Sequence, residues 1–416
     1  MAKTVIIGGG TIGLLSAYEL RRRGRDVVVL DKGNPGEGAS LGNAGWVTPS
    51  LSGPVPAPGL VGESIKWMLR PDSPLYIRPK TAPAMLGWLL SFWRFSNERA
   101  YRAGMTAMAE LNRRTMADFD ALKENGLEFE MYSAGLLFVC MEEKTIESVV
   151  AEFEELAKYD LGEPVRYTRD ETIDLEPVIK PVIAGSVWMP KERHIRPETL
   201  NAAVVEWLKN HDVEIRAGTE VTGLAFEKGR VRGVRTKDGM VDAEQVLIAT
   251  GAQAGFLSRQ AGIRLPMQAG KGYSLTIDKP QLKVTRPLYL KEARVAVSPF
   301  KDTLRVAGTM ELSGINLDLD PRRISAIRRS ADRYMKDWEE GEKTTEWVGM
   351  RPMLPDGLPA IGRISTYDNL FVAAGHAMLG ITLGPTTAVA IASLMNDEPS
   401  DFDLRPYDPE RFDKRR

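Results

Sequence analysis

One cysteine, Cys140, stands in a chain of 416 residues, so no disulfide can close within it. It lies in the apolar run 135–140, where a buried small hydrophobe accounts for it. Histidines are nearly as scarce: His194, His211 and His376 stand far apart with no cysteines at ligand spacing, which excludes a zinc site of the usual kind. Neither sign of charge is in excess, with 55 basic against 56 acidic residues and a formal charge of -1, so no overall field draws the chain to nucleic acid or an anionic surface. Nor is there an apolar run of the roughly 20 residues a bilayer span needs. The most apolar later stretch, 82–93, is interrupted by Pro83 and Gly87 and followed by Arg94. Its tryptophans Trp88 and Trp93, with Trp67 before them, leave two readings open, core helices or a surface lying on a membrane or partner. The apolar N-terminus carries glycines and no small-residue cleavage site, which fits a folded strand better than a signal peptide; a cytoplasmic protein is expected, peripheral contact with the inner membrane face staying open.

What is present begins at Lys3. Val5, Ile6 and Ile7 form an unbroken apolar run, Gly8, Gly10 and Gly13 follow at G-x-G-x-x-G spacing, and Leu14, Ala17, Tyr18 and Leu20 recur at helical spacing. Gly24 ends the helix, Val27 to Leu30 form a second buried strand, and Asp31 and Lys32 close it. The unit supplies a glycine turn that a pyrophosphate can approach, a helix N-terminus to hold it, and an acid for a ribose hydroxyl. An acid there disfavours a 2'-phosphate, so NAD or FAD is favoured over NADP.

Residues 33–59 form a long loop rich in Gly, Ser, Asn and Pro, longer than a connection requires. The run Gly36-Glu-Gly-Ala-Ser-Leu-Gly-Asn-Ala-Gly-Trp46, with Thr48-Pro-Ser-Leu-Ser, Pro54-Val-Pro-Ala-Pro-Gly59, Lys66-Trp-Met-Leu69 and Ser73-Pro-Leu-Tyr-Ile77, resembles the FAD-dependent D-amino-acid dehydrogenases, of the group that includes D-amino-acid oxidase, glycine oxidase and sarcosine oxidase. The resemblance implies that Ser40, Asn43, Ala44 and Gly45 contact a flavin. It further implies that Val221 meets the adenine and that Thr250 and Gly251 lie near the cofactor; composition alone would make these core and turn.

Along the chain, 79–189 reads as mainly helical: one amphipathic helix over 105–123, a strand over 135–140 and a charged helix over 142–159. Strands at 213–216, 220–227, 230–236 and 245–252 read as a return to the nucleotide-binding sheet. Those at 273–277, 288–290, 294–298 and 304–309 follow one another directly, as in an antiparallel sheet. The helix 321–338 carries Arg322, Arg323, Arg328 and Arg329, read as a solvated face. The fold class expected is α/β, a Rossmann-like FAD-binding domain (1–80, 190–262, 349–404) with a second α+β substrate domain (81–189, 263–348) built on an antiparallel sheet.

Arg351 stands in the proline- and glycine-rich stretch 347–362, where it can grip a carboxylate bidentately or pair with an internal acid. The resemblance assigns it the substrate carboxylate and makes Tyr273 a pocket neighbour. Near the C-terminus a strand, 369–374, leads into the turn Gly375-His-Ala-Met-Leu-Gly-Ile-Thr-Leu-Gly384 and a helix opened by Pro385. A second glycine turn at a helix N-terminus suits the negative charge of reduced flavin. Gly375, Gly380, Ile381 and Thr382 match the family's flavin-contacting positions, and His376 touches flavin or substrate or serves structure. No cysteine stands near the C-terminus, so FAD is expected to be held non-covalently. The function implied is oxidation of D-amino acids to 2-oxo acids by hydride transfer to FAD, with a quinone or other electron acceptor; an oxygen-reducing oxidase of the glycine, sarcosine or D-proline type is the alternative. No side-chain base and no metal are assigned.

Overall fold

The computed structural model describes residues 3–59, 73, 75–78, 80–156, 159 and 162–413. Trp67 and the motif 66–69 lie outside them. The first strand, Thr4–Ile7, lies between Val27–Leu30 and Gln245–Ile248, parallel to both, and is buried throughout. A strand without polar alternation needs cover on both faces, and both are covered. Ile6 packs with the helices Thr11–Arg22, Pro197–Asn210 and Gly384–Met395, while Val5 and Ile7 meet Leu224, Val234 and Leu257 on the other side. Outward, the sheet adds Glu214–Arg216 at one edge and Leu370–Ala374 then Ala360–Arg363 at the other, six strands with only the last antiparallel. The strand order reverses between Thr4–Ile7 and Gln245–Ile248, so the connections leave their C-terminal ends in opposite directions and open a crevice there.

The hairpin strands expected in this sheet stand apart from it. Val221–Glu227 and Arg230–Thr236 pair antiparallel and, with Gly239–Asp242, form a separate three-stranded sheet. Lys228 and Gly229 both take positive φ, +48 and +74, in the turn that joins them. A two-residue turn makes antiparallel neighbours, whereas entry into a parallel sheet requires a crossover.

The second sheet has nine strands, running in space Lys343–Met353, Gln268–Asp278, Thr303–Leu312, Val295–Pro299, Leu288–Leu290, Leu136–Cys140, Gly185–Met189 and Val165–Thr168, with Leu75–Ile77 added beside Thr303–Leu312. It is mostly antiparallel, with parallel joins at Leu288–Leu290 with Leu136–Cys140 and at Leu75–Ile77 with Thr303–Leu312. The segment read as mainly helical thus gives this sheet three strands. Within that segment the single amphipathic helix is two, Glu98–Asn112 and Thr115–Glu124. Asn112 donates to Met108 O and Thr115 to Asn112, and such side chains compete with the helix ladder where it breaks.

Arg323 is also corrected. It shares a helix face with Ile327 and Ala331 and is fully buried, donating to the carbonyls of Ser73 (2.6 Å) and Met310 (3.0 Å).

Candidate active site

Two connected hollows lie between the sheets. The larger, about 940 Å³, follows the crevice of the six-stranded sheet and is bordered by Gly8, Gly10, Thr11, Asp31, Lys32, Ser40, Asn43, Val221, Thr250, Gly251, His376, Gly380 and Ile381. Two glycine turns from opposite ends of the chain therefore face one cleft. Gly8 sits at φ +106, and a Cβ there would reach within 2.5 Å of Ala249 O, so the turn follows the neighbouring strand end closely. Gly10 is the N-cap of the first helix and gives no side-chain cap, which leaves first-turn N–H groups at the cleft. Among the described residues, nothing beyond its own helix and chain neighbours lies within 4 Å of a Cβ built on Gly10, so packing does not demand glycine there and the turn is open to a ligand. Asp31 accepts from Gly9 N (2.6 Å) and Gly33 N (2.7 Å), bracing the turn while each oxygen keeps a lone pair for a ribose hydroxyl. Among the described residues Thr250 Oγ1 is buried without a hydrogen-bond partner, as a group open to a ligand would be.

The loop carrying Ser40, Asn43 and Ala44 is tied to the second sheet through its carbonyls. Arg305, only 3% exposed, donates to Asn43 O (2.8 Å) and Leu41 O (3.2 Å) and pairs with Glu198. Ser298 donates to Ala44 O (2.7 Å). Thr11 shares its hydroxyl with Ser40 and Asn201, joining the loop to the first helix.

The smaller hollow, about 480 Å³, meets the larger at Ala39, Asn43, Trp347 and Gly349. Arg351 stands on its wall. Strand pairing sets Arg351 opposite Gly270 and Gly349 opposite Gly272, all on one face. A Cβ on Gly272 would overlap the Arg351 guanidinium, and one on Gly349 or Gly42 would overlap the Trp347 ring, so glycines let both side chains lie flat against the sheet. Arg351 Nη1 donates to Thr309 O (3.0 Å), and among the described residues no acid pairs with it. Burial, then the nearby Arg323, pulls its pKa down to about 10, still protonated at neutral pH. Thr309 itself has φ +57, uncommon for a β-branched residue, and its buried hydroxyl has no partner among the described residues. Among the described residues bordering this hollow there is no Asp, Glu, His or Lys.

Other expected residues fall elsewhere. Tyr273 borders the smaller hollow, but alternation sends its side chain to the sheet face opposite Arg351, where its hydroxyl donates to Glu311 (2.5 Å) in the core. His376 borders the larger hollow and not the smaller; its Nε2 meets Thr387 Oγ1 at 3.0 Å, and burial drops its pKa to about 3, so it is neutral. Gly13, Gly45 and Gly375 border neither hollow. Gly13 gives room to Gly8 O, Gly45 (φ +74) to Ile195 O, and Gly375 (φ +87) to Leu354. Thr382 borders the smaller hollow, and its hydroxyl donates to Trp46 O (3.0 Å). Thr11, Arg305, Thr309 and Trp347 escaped the sequence reading. Trp347 alone carried a local signal, standing at i, i+2 and i+4 with Gly349 and Arg351.

Residues 3–394 match a family model described as FAD dependent oxidoreductase. The chain belongs to the FAD-dependent oxidoreductase family. It is 32% identical over 403 residues to a D-amino acid dehydrogenase of Rhizorhabdus wittichii, covering 94% of this chain and 96% of the relative. A D-amino acid dehydrogenase of Helicobacter pylori is 28% identical over 95% of each chain. In fold the chain is similar to glycine oxidase from Geobacillus kaustophilus, with a TM-score of 0.77 at 22% identity over 100% of both chains. The family's cofactor, FAD, fits what the cleft offers: an uncapped helix end at Gly10, a braced carboxylate at Asp31, an unpartnered hydroxyl at Thr250, and a second glycine turn at Gly380.

Proposed function

We propose that this chain is a D-amino-acid dehydrogenase that yields 2-oxo acids and passes electrons to a quinone or another acceptor. One observation carries the reading: a guanidinium with no acid partner among the described residues, Arg351, laid over glycine in the wall of the 480 Å³ hollow. Thr309 O fixes one of its nitrogens, and its remaining N–H groups can take a carboxylate in the bidentate manner. That grip turns the substrate Cα–H toward the cleft, and orientation of this kind supplies most of the rate effect available without a side-chain base. Bound FAD supplies the hydride acceptor. With no base bordering the hollow, the amine must arrive neutral, and the positive charge of Arg351 disfavours its ammonium form. Loss of hydride from the neutral amine leaves an iminium cation, and water adds to it to give the 2-oxo acid and ammonium.

The names of the sequence relatives support a dehydrogenase over the oxygen-reducing alternative. Among the described residues no helix is long and apolar enough to cross a membrane. The helix Ala82–Phe95 exposes Leu86, Leu90 and Trp93 at 56–64%, which supports peripheral contact with the inner face of a membrane, where a quinone would be at hand. Anaerobic bleaching of the flavin band by D- but not L-amino acids tests the assignment, with reoxidation by a quinone analogue. Bleaching by L-enantiomers alone, or oxygen uptake that matches turnover, sinks it.

A further inference from the structure

The hollow that Arg351 borders is much larger than a carboxylate, an amine and a hydrogen at Cα require. At roughly 30 Å³ per water, 480 Å³ would hold about 16 waters, shared between the reacting atoms and whatever side chain lies beyond them. Away from the cofactor loop its wall is apolar. Leu75 and Ile77 come from the short strand added in parallel to Thr303–Leu312, Met310 from that longer strand, and Trp88, Leu89 and Phe92 from the helix Ala82–Phe95. Trp88 and Phe92 stack at 5.2 Å and 24°, forming a flat panel one helical turn tall. The helix can present this panel inward while Leu86 and Leu90 face out because it carries apolar residues all round and a single charge, Arg94. The only charges bordering the hollow, among the described residues, are Arg294 and Arg351.

We propose that the amino acid oxidised here carries a large apolar side chain, aliphatic or aromatic, seated against the Trp88–Phe92 panel. This rests on reading the site as one for amino-acid oxidation. A glycine or alanine would leave mobile water against an apolar wall, and a longer side chain gains by displacing it. An ammonium at the end of the side chain would meet an apolar wall with no acid among the described residues that border it.

The test uses the FAD-loaded enzyme and an artificial dye acceptor, with glycine, D-alanine, D-norvaline, D-norleucine, D-phenylalanine, D-lysine and D-glutamate as substrates. Each methylene from D-alanine to D-norleucine should raise kcat/KM about fourfold, about 60-fold over three. D-lysine, which is D-norleucine with an ammonium on its last carbon, should fall at least tenfold below it. Leu89→Glu, at a partly exposed position, should raise the ratio of D-lysine to D-norleucine at least tenfold; should that variant not fold, the wild-type series decides alone. Flavin bleaching without a rise along the series, or best use of glycine, D-alanine, D-lysine or D-glutamate, overturns this inference alone. No bleaching by any D-amino acid overturns the amino-acid reading and takes this inference with it.

Discussion

Replacing Arg351 with methionine should stabilise the folded chain and weaken its grip on amino acids, effects of opposite sign from one change. Burial and Arg323 lower the guanidinium pKa from 12.5 to about 10. At about 1.4 kcal/mol per pH unit this depression corresponds to about 3 kcal/mol of destabilisation. A base whose folded pKa is lowered destabilises at every pH below that value, and the penalty fades only as pH climbs from about 10 toward 12.5. The advantage of methionine should therefore be flat between about pH 6 and pH 9. Against it stands the lost hydrogen bond to Thr309 O, about 1 kcal/mol, so the net gain is about 2 kcal/mol and the rise in Tm roughly 1–4 °C. Losing the partner of a buried carboxylate costs about 2–5 kcal/mol, so KM should rise about 30-fold or more. Thermal and denaturant unfolding measure the first effect, and anaerobic flavin-bleaching titrations the second. A methionine variant less stable than wild type by 2 kcal/mol or more, or one with unchanged KM, would refute the reasoning, because it would make Arg351 a structural residue.

The two glycines of the first turn should separate fold from ligand. Gly13→Ala, whose methyl overlaps Gly8 O, should lower stability by about 3 kcal/mol, while Gly10→Ala, which meets nothing, should unfold like wild type yet bind FAD at least tenfold more weakly by fluorescence titration. Arg305→Gln frees the carbonyls of Leu41 and Asn43, and stopped-flow release of FAD should quicken about tenfold, the loss expected for about 1.4 kcal/mol of loop positioning; an unchanged rate would remove Arg305 from cofactor binding. Burial lifts the Glu192 carboxyl to about 8, and a raised folded pKa means stability is lost progressively between the ordinary 4.5 and that value. Glu192→Gln should thus match wild type near pH 4 and exceed it by on the order of 4 kcal/mol above pH 8, as read from urea midpoints.

The first strand, the glycine turn, the first helix and Asp31 were legible because everything that defines them is local: an unbroken apolar run, glycines at fixed spacing, an acid at the next strand end. The turn 375–384 was legible for the same reason, and the two meet because Leu370–Ala374 pairs with Gln245–Ile248, itself paired with Thr4–Ile7. Sidedness was not legible. Tyr273 and Arg351 lie in neighbouring strands, yet whether they share a face depends on a register fixed by Gly270 opposite Arg351, and one residue of slip would put both on the same face. Arg323 was misread for the helical version of that reason: a charge run says nothing about which arginine falls in line with Ile327 and Ala331.

The wall that carries Arg351 shows why the least local features were hidden. Arg351 can lie flat only because Gly272, on the neighbouring strand, has no side chain, and its guanidinium is held by the carbonyl of Thr309, whose φ of +57 departs from the strand that carries it. Residues from three strands, 343–353, 268–278 and 303–312, must be in register before one cation is placed. A backbone conformation that costs about 1–3 kcal/mol at a β-branched residue persists only where its surroundings enforce it, and here they do so beside the one guanidinium assigned to substrate. Strain, a hydroxyl unpartnered among the described residues and a depressed arginine pKa thus coincide in the wall of the smaller hollow. Each is a cost to folding that the core does not require, and a carboxylate bound between Arg351 and the Thr309 hydroxyl would relieve the two polar ones together.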